Sequence, residues 1–270
     1  MTANEINKIR RSVKDKNPII HCITNPISIN ECANAVLAVG ARPIMAEHPE
    51  EVKEITAAAK SLVLNLGNIT EARIKSVQIS AKTAKENKIP TTLDVVGVCC
   101  SELRLGLANL LIKESCPTVI KGNYSEINSL LNPGYKSAGV DAEKLDVNII
   151  SGVALQLARI NNAIILASGK TDIVTDGKRL IYIKNGSPQL VGVTGTGCML
   201  GTLCGVYLSS YQDISAVVTA CAVLGMCGEL AQTDKGSGSF MVRLMDMLSV
   251  LTESDIESNL KVEERKIENI

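Results

Sequence analysis

The sequence predicts an α/β protein: a three-layer αβα arrangement around a mostly parallel sheet that gains antiparallel strands late. Three observations carry this. From Pro18 to Asn123, short apolar runs alternate with helix-periodic segments across short connections, the pattern of βαβ units covered on both faces. The runs are bounded by Asn, Pro and Gly, which marks them as buried strands rather than helix cores. Further on, Asp176-Gly177 separates two apolar runs and signals a type I′ hairpin. No internal repeat or low-complexity linker divides the chain, so residues 1–270 read as one domain.

Each element has a local reason. Residues 3–16 place Ile6, Ile9 and Val13 at helical spacing. Residues 18–23 are a buried strand, broken at Thr24-Asn25-Pro26. Ser28 with Glu31 offers a capping box for a helix over 29–39, closed by Gly40. Strands follow at 43–45, 62–66, 91–96 and 118–121, with helices at 49–61, 70–87 and 101–114 between them. After Pro133-Gly134 the chain is looser, until a helix over 146–160 and a strand over 163–167. The hairpin spans 172–175 and 179–183. Two long apolar helices, 199–209 and 214–231, come next. Gly236-Ser237-Gly238-Ser239 reads as a linker before a helix over 240–251, and the tail from Glu253 reads as charged and helical.

Composition narrows the function. The chain has 270 residues and 46% hydrophobic content, so a large core needs neither disulfide nor metal. Aromatics are 2%, which leaves Ile, Leu, Val, Ala and Met to fill it. Lys plus Arg and Asp plus Glu balance at 28 each, which favours neither nucleic acid nor an anionic membrane. No run approaches the ~20 apolar residues of a membrane span, and residues 1–6 lack a signal-peptide core. A cytoplasmic protein is expected. The nine cysteines include no Cys-x-x-Cys pair, and with two histidines a zinc site is excluded. Cys22, Cys99, Cys100, Cys204, Cys221 and Cys227 are assigned to packing, and His21 to structural hydrogen bonding.

The centre of the sequence is 191–205, where Gly192, Gly195 and Gly197 with Thr194 and Thr196 precede an apolar helical run. A helix leaving a glycine loop aims its unpaired N–H groups and positive dipole end at an anion, commonly phosphate. The loop is neither a Walker loop nor a dinucleotide fingerprint. Ligands of parallel sheets bind beyond the carboxyl ends of the strands. Asn25, Met45, Asn65, Asp94, Asn123 and Glu126 all fall there. A phosphate cradle on such a sheet suggests phosphoryl transfer, which depends on positioning and charge neutralisation. Asp94 and Glu126 suit the sparse carboxylate set that Mg²⁺ prefers.

Six segments then resemble the hydroxyethylthiazole kinase family of thiamine biosynthesis and salvage. They are His21–Pro26, Gly40–Ala46, Asn65-Leu66-Gly67, Leu93–Gly97, Lys121-Gly122-Asn123-x-x-Glu126 and Gly195-Thr196-Gly197-Cys198. The match runs from about residue 18 to 243. The last two segments also resemble the wider ribokinase-like superfamily. The resemblance implies a ribokinase-like fold, ATP, Mg²⁺ and transfer to the hydroxyethyl group of 4-methyl-5-(2-hydroxyethyl)thiazole. It implies a homotrimer with substrate pockets at subunit interfaces. Asn25, Met45 and Gly195 would meet the thiazole. Lys121, Asn123, Ser168, Thr194, Thr196 and Gly197 would meet ATP. Asp94 and Glu126 would organise Mg²⁺ from outside the core. Cys198 stands where the superfamily places its Asp base; at a helix N-terminus its thiol is expected to have a lowered pKa. Lys121 stands where Arg is frequent and keeps the charge without bidentate geometry. A kinase for another ring alcohol such as hydroxymethylpyrimidine, a nucleotide-dependent hydro-lyase and a non-enzymatic nucleotide-binding regulator remain the alternatives.

Overall fold

The structure is a computed structural model that describes residues 1–134 and 146–267. The looser stretch after Gly134 lies mostly outside the described residues. Six strands run parallel: β1 (Ile19–Ile23), β2 (Arg42–Ile44), β3 (Ser61–Asn65), β4 (Thr91–Asp94), β5 (Val119–Asn123) and β6 (Ile164–Ser168). Three more are antiparallel to their neighbours: β7 (Asp172–Thr175), β8 (Leu180–Ile183) and β9 (Val262–Arg265). Together they form one nine-stranded sheet in the order β2-β1-β3-β4-β5-β6-β7-β8-β9.

Helices cover both faces, as the uninterrupted apolar strands require. Successive strand residues point to opposite sides. Val63, Val119, Leu166 and Val174 join the core beneath α1 (Ala3–Lys16), α2 (Ile29–Ala38), α8 (Thr196–Leu208), α9 (Ile214–Leu230) and α10 (Ser237–Val250). Their neighbours Leu62, Ile120, Ile165 and Ile173 join the core beneath α3 (Val52–Ala58), α4 (Glu71–Glu86), α5 (Glu102–Ser115), α6 (Tyr124–Leu131) and α7 (Val147–Asn161). The predicted three-layer arrangement with late antiparallel strands is present. Among the described residues no helix is long and apolar enough to cross a membrane.

α8 positions the site. It is apolar on every side and is buried from Met199 to Leu208. Two glycines let it lie directly on the sheet. A Cβ on Gly205 would stand 2.3 Å from Val63 Cγ2, and one on Gly201 would stand 3.0 Å from Asp94 Oδ2. Gly195, at φ +89, turns the chain into α8 in a conformation that side chains resist.

Several expectations need correction. Ser28 does not cap α2 through a capping box with Glu31. A 3₁₀ turn over Pro26–Ser28, capped by Asn25, runs straight into the helix, and Ser28 Oγ instead donates to the Asn25 carbonyl at 3.3 Å. The hairpin is not type I′, which needs positive φ at both central residues. Only Gly177 has it, in a loop of 176–179, while Asp176 Oδ1 accepts from the N–H groups of Lys178 and Arg179. Ser237–Ser239 belong to α10 rather than to a linker. The tail forms α11 (Glu253–Asn259) and then adds β9 to the sheet edge. Cys100 is exposed, so it is not a packing residue.

Candidate active site

Every parallel strand ends on the same side, and the residues singled out by sequence spread along that edge in strand order. Asn25 and Met45 follow β1 and β2. Asn65 and Asp94 end β3 and β4. Lys121 and Asn123 lie at the end of β5, and Ser168 ends β6 beside Asn123. The N-terminus of α8 stands over the middle of this row. A Cβ on Gly197 would lie 3.5 Å from Lys121 Nζ, while one on Gly195 would lie 3.0 Å from Ser28 Cβ.

At the centre is a buried ion pair. Lys121 Nζ donates to Asp94 Oδ1 at 3.2 Å and to Oδ2 at 3.1 Å. Asp94 is 0% and Lys121 3% exposed. Asn65 Nδ2 donates to Asp94 Oδ2 at 2.9 Å and to Cys198 Sγ at 3.4 Å, so one amide links the carboxylate to the thiol. Burial pushes the Asp94 carboxyl up to about 6 despite the Lys121 charge, and Glu126 adds to the rise. Burial alone would depress Lys121, but the charges of Asp94, Glu126 and Cys198 together hold its pKa above the ordinary lysine value.

Cys198 departs from expectation. Burial and then the Asp94 charge raise its pKa, and they outweigh Ser28, Lys121 and Asn65, which lower it. Its position in the first turn of α8 does not prevail, so the thiol is protonated at neutral pH. Glu126 also departs. It is 7% exposed and closes a capping box on α6. Its Oε2 accepts from Asn123 N–H at 2.7 Å and its Oε1 from Gly97 N–H at 2.8 Å, tying the β4 loop to α6. Asp94 and Glu126 are therefore both buried, not charges held outside the core.

The remaining residues are more loosely gathered. Asn25 Oδ1 accepts from Ile27 N–H at 3.1 Å and Asn68 Nδ2 at 3.2 Å. Met45 is half-buried against the core that also carries Cys198. Ser168 Oγ donates to the Gly122 carbonyl at 3.3 Å. Thr194 and Gly197 are exposed at the loop. Thr196 is turned away, its hydroxyl donating to the Leu190 carbonyl at 2.9 Å. His21 is buried between Thr56 Oγ1 and the Ala46 carbonyl, at 2.9 Å each. The sequence noted Asn65 as a polar strand end and within a family-like segment, without giving it a role, and missed Arg73, whose guanidinium holds the loops after β1 and β3.

Among the described residues no group of three or more His, Cys, Asp or Glu converges into a metal cage. Magnesium needs only one or two carboxylates, with waters and phosphate oxygens completing its shell. Asp94 and Glu126 bring two carboxylates to this end, beside the Lys121 ammonium. That donor set fits a hydrated Mg²⁺.

A mostly parallel sheet with a glycine-led helix N-terminus over its central strand ends is the arrangement of the ribokinase-like fold. A ribokinase-like superfamily protein from Enterococcus faecalis shares this fold with TM-score 0.68 at 10% identity, over 95% of this chain and 96% of its own. The hydroxyethylthiazole kinase family model matches residues 10–254, and the chain belongs to that family. It is 46% identical to hydroxyethylthiazole kinase 2 of Clostridium botulinum strain Hall, over 94% of this chain and 98% of the relative. It is 39% identical to hydroxyethylthiazole kinase 1 of Methanosphaera stadtmanae, over 97% and 98%. The solved hydroxyethylthiazole kinase of Pyrococcus horikoshii superposes with TM-score 0.89 at 31% identity, over 97% of this chain and 99% of that one.

Proposed function

We propose that the protein transfers the γ-phosphoryl group of ATP to the hydroxyethyl oxygen of 4-methyl-5-(2-hydroxyethyl)thiazole, giving the thiazole phosphate and ADP. The observation that carries this reading is the α8 N-terminus standing over the Lys121–Asp94 pair in a chain of this family. The proposed polarity follows the strand order. ATP lies towards β5 and β6, met by Lys121, Asn123 and Ser168, with Thr194, Thr196 and Gly197 presenting the loop. Thr196 contributes through its backbone, since its hydroxyl is already bonded. The alcohol lies towards β1 and β2, met by Asn25, Met45 and Gly195.

The N–H groups at the start of α8 receive the migrating phosphoryl, where the helix dipole favours negative charge. Lys121 neutralises charge on the phosphate oxygens, held in place by Asp94. Asp94 and Glu126 would hold Mg²⁺, and the ion would supply neutralisation of phosphate charge there. Cys198 faces the alcohol hydroxyl as a protonated thiol, so it orients more than it deprotonates. A loose transition state tolerates this, because little base assistance is needed before the phosphoryl has moved.

The 270 residues act as one domain in this reading, and the protein works in the cytoplasm. The cysteines of the described residues form no disulfide, in keeping with a reducing compartment. The protein assembles as a homotrimer with pockets between subunits. Ile27, 58% exposed beside Asn25, and Val191, 85% exposed beside the glycine loop, are apolar side chains that a second subunit would cover. A panel of ring alcohols with ATP and Mg²⁺, read by mass spectrometry, tests the function. A phosphorylated thiazole alcohol is expected. Phosphorylation of a pyrimidine alcohol in its place, or free phosphate alone, overturns the reading.

A further inference from the structure

Arg73 does something that phosphoryl chemistry alone does not ask for. It sits in the first turn of α4, 3% exposed, beneath the loops that leave the strands. Its Nη1 donates to the Gly67 and Asn68 carbonyls, at 3.1 Å each. Its Nη2 donates to the Thr24 carbonyl. Its Nε faces Glu47 Oε2 at 3.3 Å as an ion pair. One turn on, the single Ser76 O–H lies within reach of two acceptors, the Glu47 carbonyl at 2.7 Å and the Ala72 carbonyl at 2.9 Å.

The partners of this one guanidinium come from three loops. Thr24 follows β1, Glu47 follows β2, and Gly67 and Asn68 follow β3. Those loops carry Asn25 and Met45, and the loops after β1 and β3 meet at Gly67, where a Cβ would stand 2.4 Å from Asn25 Nδ2. The Asn68 amide donates to Asn25 Oδ1 at 3.2 Å. No such link runs from Arg73 to β5, β6 or the glycine loop among the bonds of the described residues. The choice of Arg is chemical. Its planar fork offers five donors in several directions, whereas a lysine ammonium is a single point on a flexible stem. A guanidinium is also costly to bury unless it is satisfied on several sides.

We propose that Arg73 is the positioning residue of the acceptor pocket: it sets the spacing of the Asn25, Met45 and Gly67 loops, and so fixes the alcohol without touching alcohol or ATP. This rests on the placement of the alcohol at the β1–β3 end given above. The rival is a plain fold staple, which would affect both substrates and overall stability alike.

Arg73→Met and Arg73→Lys in the full chain separate the two. For Arg73→Met, kcat/KM for the thiazole alcohol falls about 10²-fold, the loss that follows a misplacement near 1 Å. KM for ATP stays at the wild-type value. Arg73→Lys recovers part of the loss, since an ammonium replaces some of the carbonyl contacts but not all. Hydrogen exchange gives a readout independent of substrate. Amides in 24–28, 45–48 and 66–69 exchange faster in both variants, while those in 121–126 and 195–199 exchange as in wild type. Equal losses of affinity for ATP and alcohol, or loops exchanging at wild-type rates, overturn the proposal. Should Arg73→Met fail to fold, Arg73→Lys carries both readouts. A wild-type enzyme that leaves the thiazole alcohol unphosphorylated sinks the functional reading instead, while the exchange comparison still decides the role of Arg73.

Discussion

Asp94 and Lys121 are bound to each other as well as assigned to the proposed chemistry. Taking away one partner of a buried pair leaves the other charged and unpaired, at a typical cost of ~3–5 kcal/mol. Asp94→Ala is therefore expected to lower stability by that order, and not merely to abolish turnover as an exposed metal ligand would. Adding Lys121→Met to Asp94→Ala should restore much of the stability while leaving the enzyme inactive. Chemical denaturation of the two single variants and the double variant checks this, and a double variant no more stable than the singles would contradict it. Cys198 makes a second case. With its thiol protonated, Cys198→Ala should keep ATP binding and lose much less than the ~10²–10⁴-fold typical of a well-matched base. Cys198→Asp should retain or raise activity, because Asn65 Nδ2 and Lys121 stand ready to receive a carboxylate there. Steady-state kinetics of both variants decide the point.

His21 adds a pH dependence of known sign. Burial lowers its pKa below 6.5, so the folded protein binds fewer protons there than the unfolded chain. Stability is then lost as pH falls below about 6.5, and the loss continues down through the folded-state value. Buried Asp94, raised to about 6, works in the opposite direction between 3.8 and 6. The contribution of His21 is isolated by comparison: between pH 7 and 5, His21→Gln should lose less stability than wild type in urea titrations.

Among the elements, α8 is the most demanding. Gly205→Ala would push a methyl group towards Val63, and overpacking of this kind costs ~1–3 kcal/mol. We expect a lowered melting temperature, and a loss of activity as the α8 N-terminus lifts from Lys121. A melt indistinguishable from wild type would show that α8 can shift freely on the sheet. The elements were legible where one face or one period dominates. The parallel strands and the long helices appear within a few residues of their expected bounds. Local rules failed where a neighbour intervened. Asn25 began a 3₁₀ turn ahead of Ser28 and took over the capping. Val262 to Arg265 read as part of a charged tail because nothing local announces that β8 offers a free edge. Arg73 lies on the same buried stripe of α4 as Ser76, Val77, Ser80 and Ala84, so helical spacing held the clue. An arginine on such a stripe reads as polar from its identity alone, and its partners are carbonyl groups that no sequence pattern displays. The position of the candidate site's residues along the strand ends was legible, but their charges were not. Strand ends gave Asp94, Lys121 and Asn123, whereas the upward shift of Cys198 depends on burial that only packing reveals.

For the whole molecule, the trimer proposal predicts that activity depends on association. Ile27→Lys or Val191→Lys should shift the protein towards monomer in sedimentation and reduce kcat/KM. Wild-type activity per subunit should fall on strong dilution. A fully active monomer would place the complete pocket within one chain.

In the proposed reading, strand order separates the two ends of the reaction. The phosphoryl end rests on central strands and on a helix fixed to them on all sides. The acceptor end rests on an edge pair, β2 and β1, and on loops gathered by side chains. A change of acceptor can therefore be engineered at the margin of the molecule. Loops 24–28 and 45–48 could be exchanged for ones shaped to another alcohol, with the interior left as it stands. The same kinase core would then serve as a fixed engine with a replaceable socket.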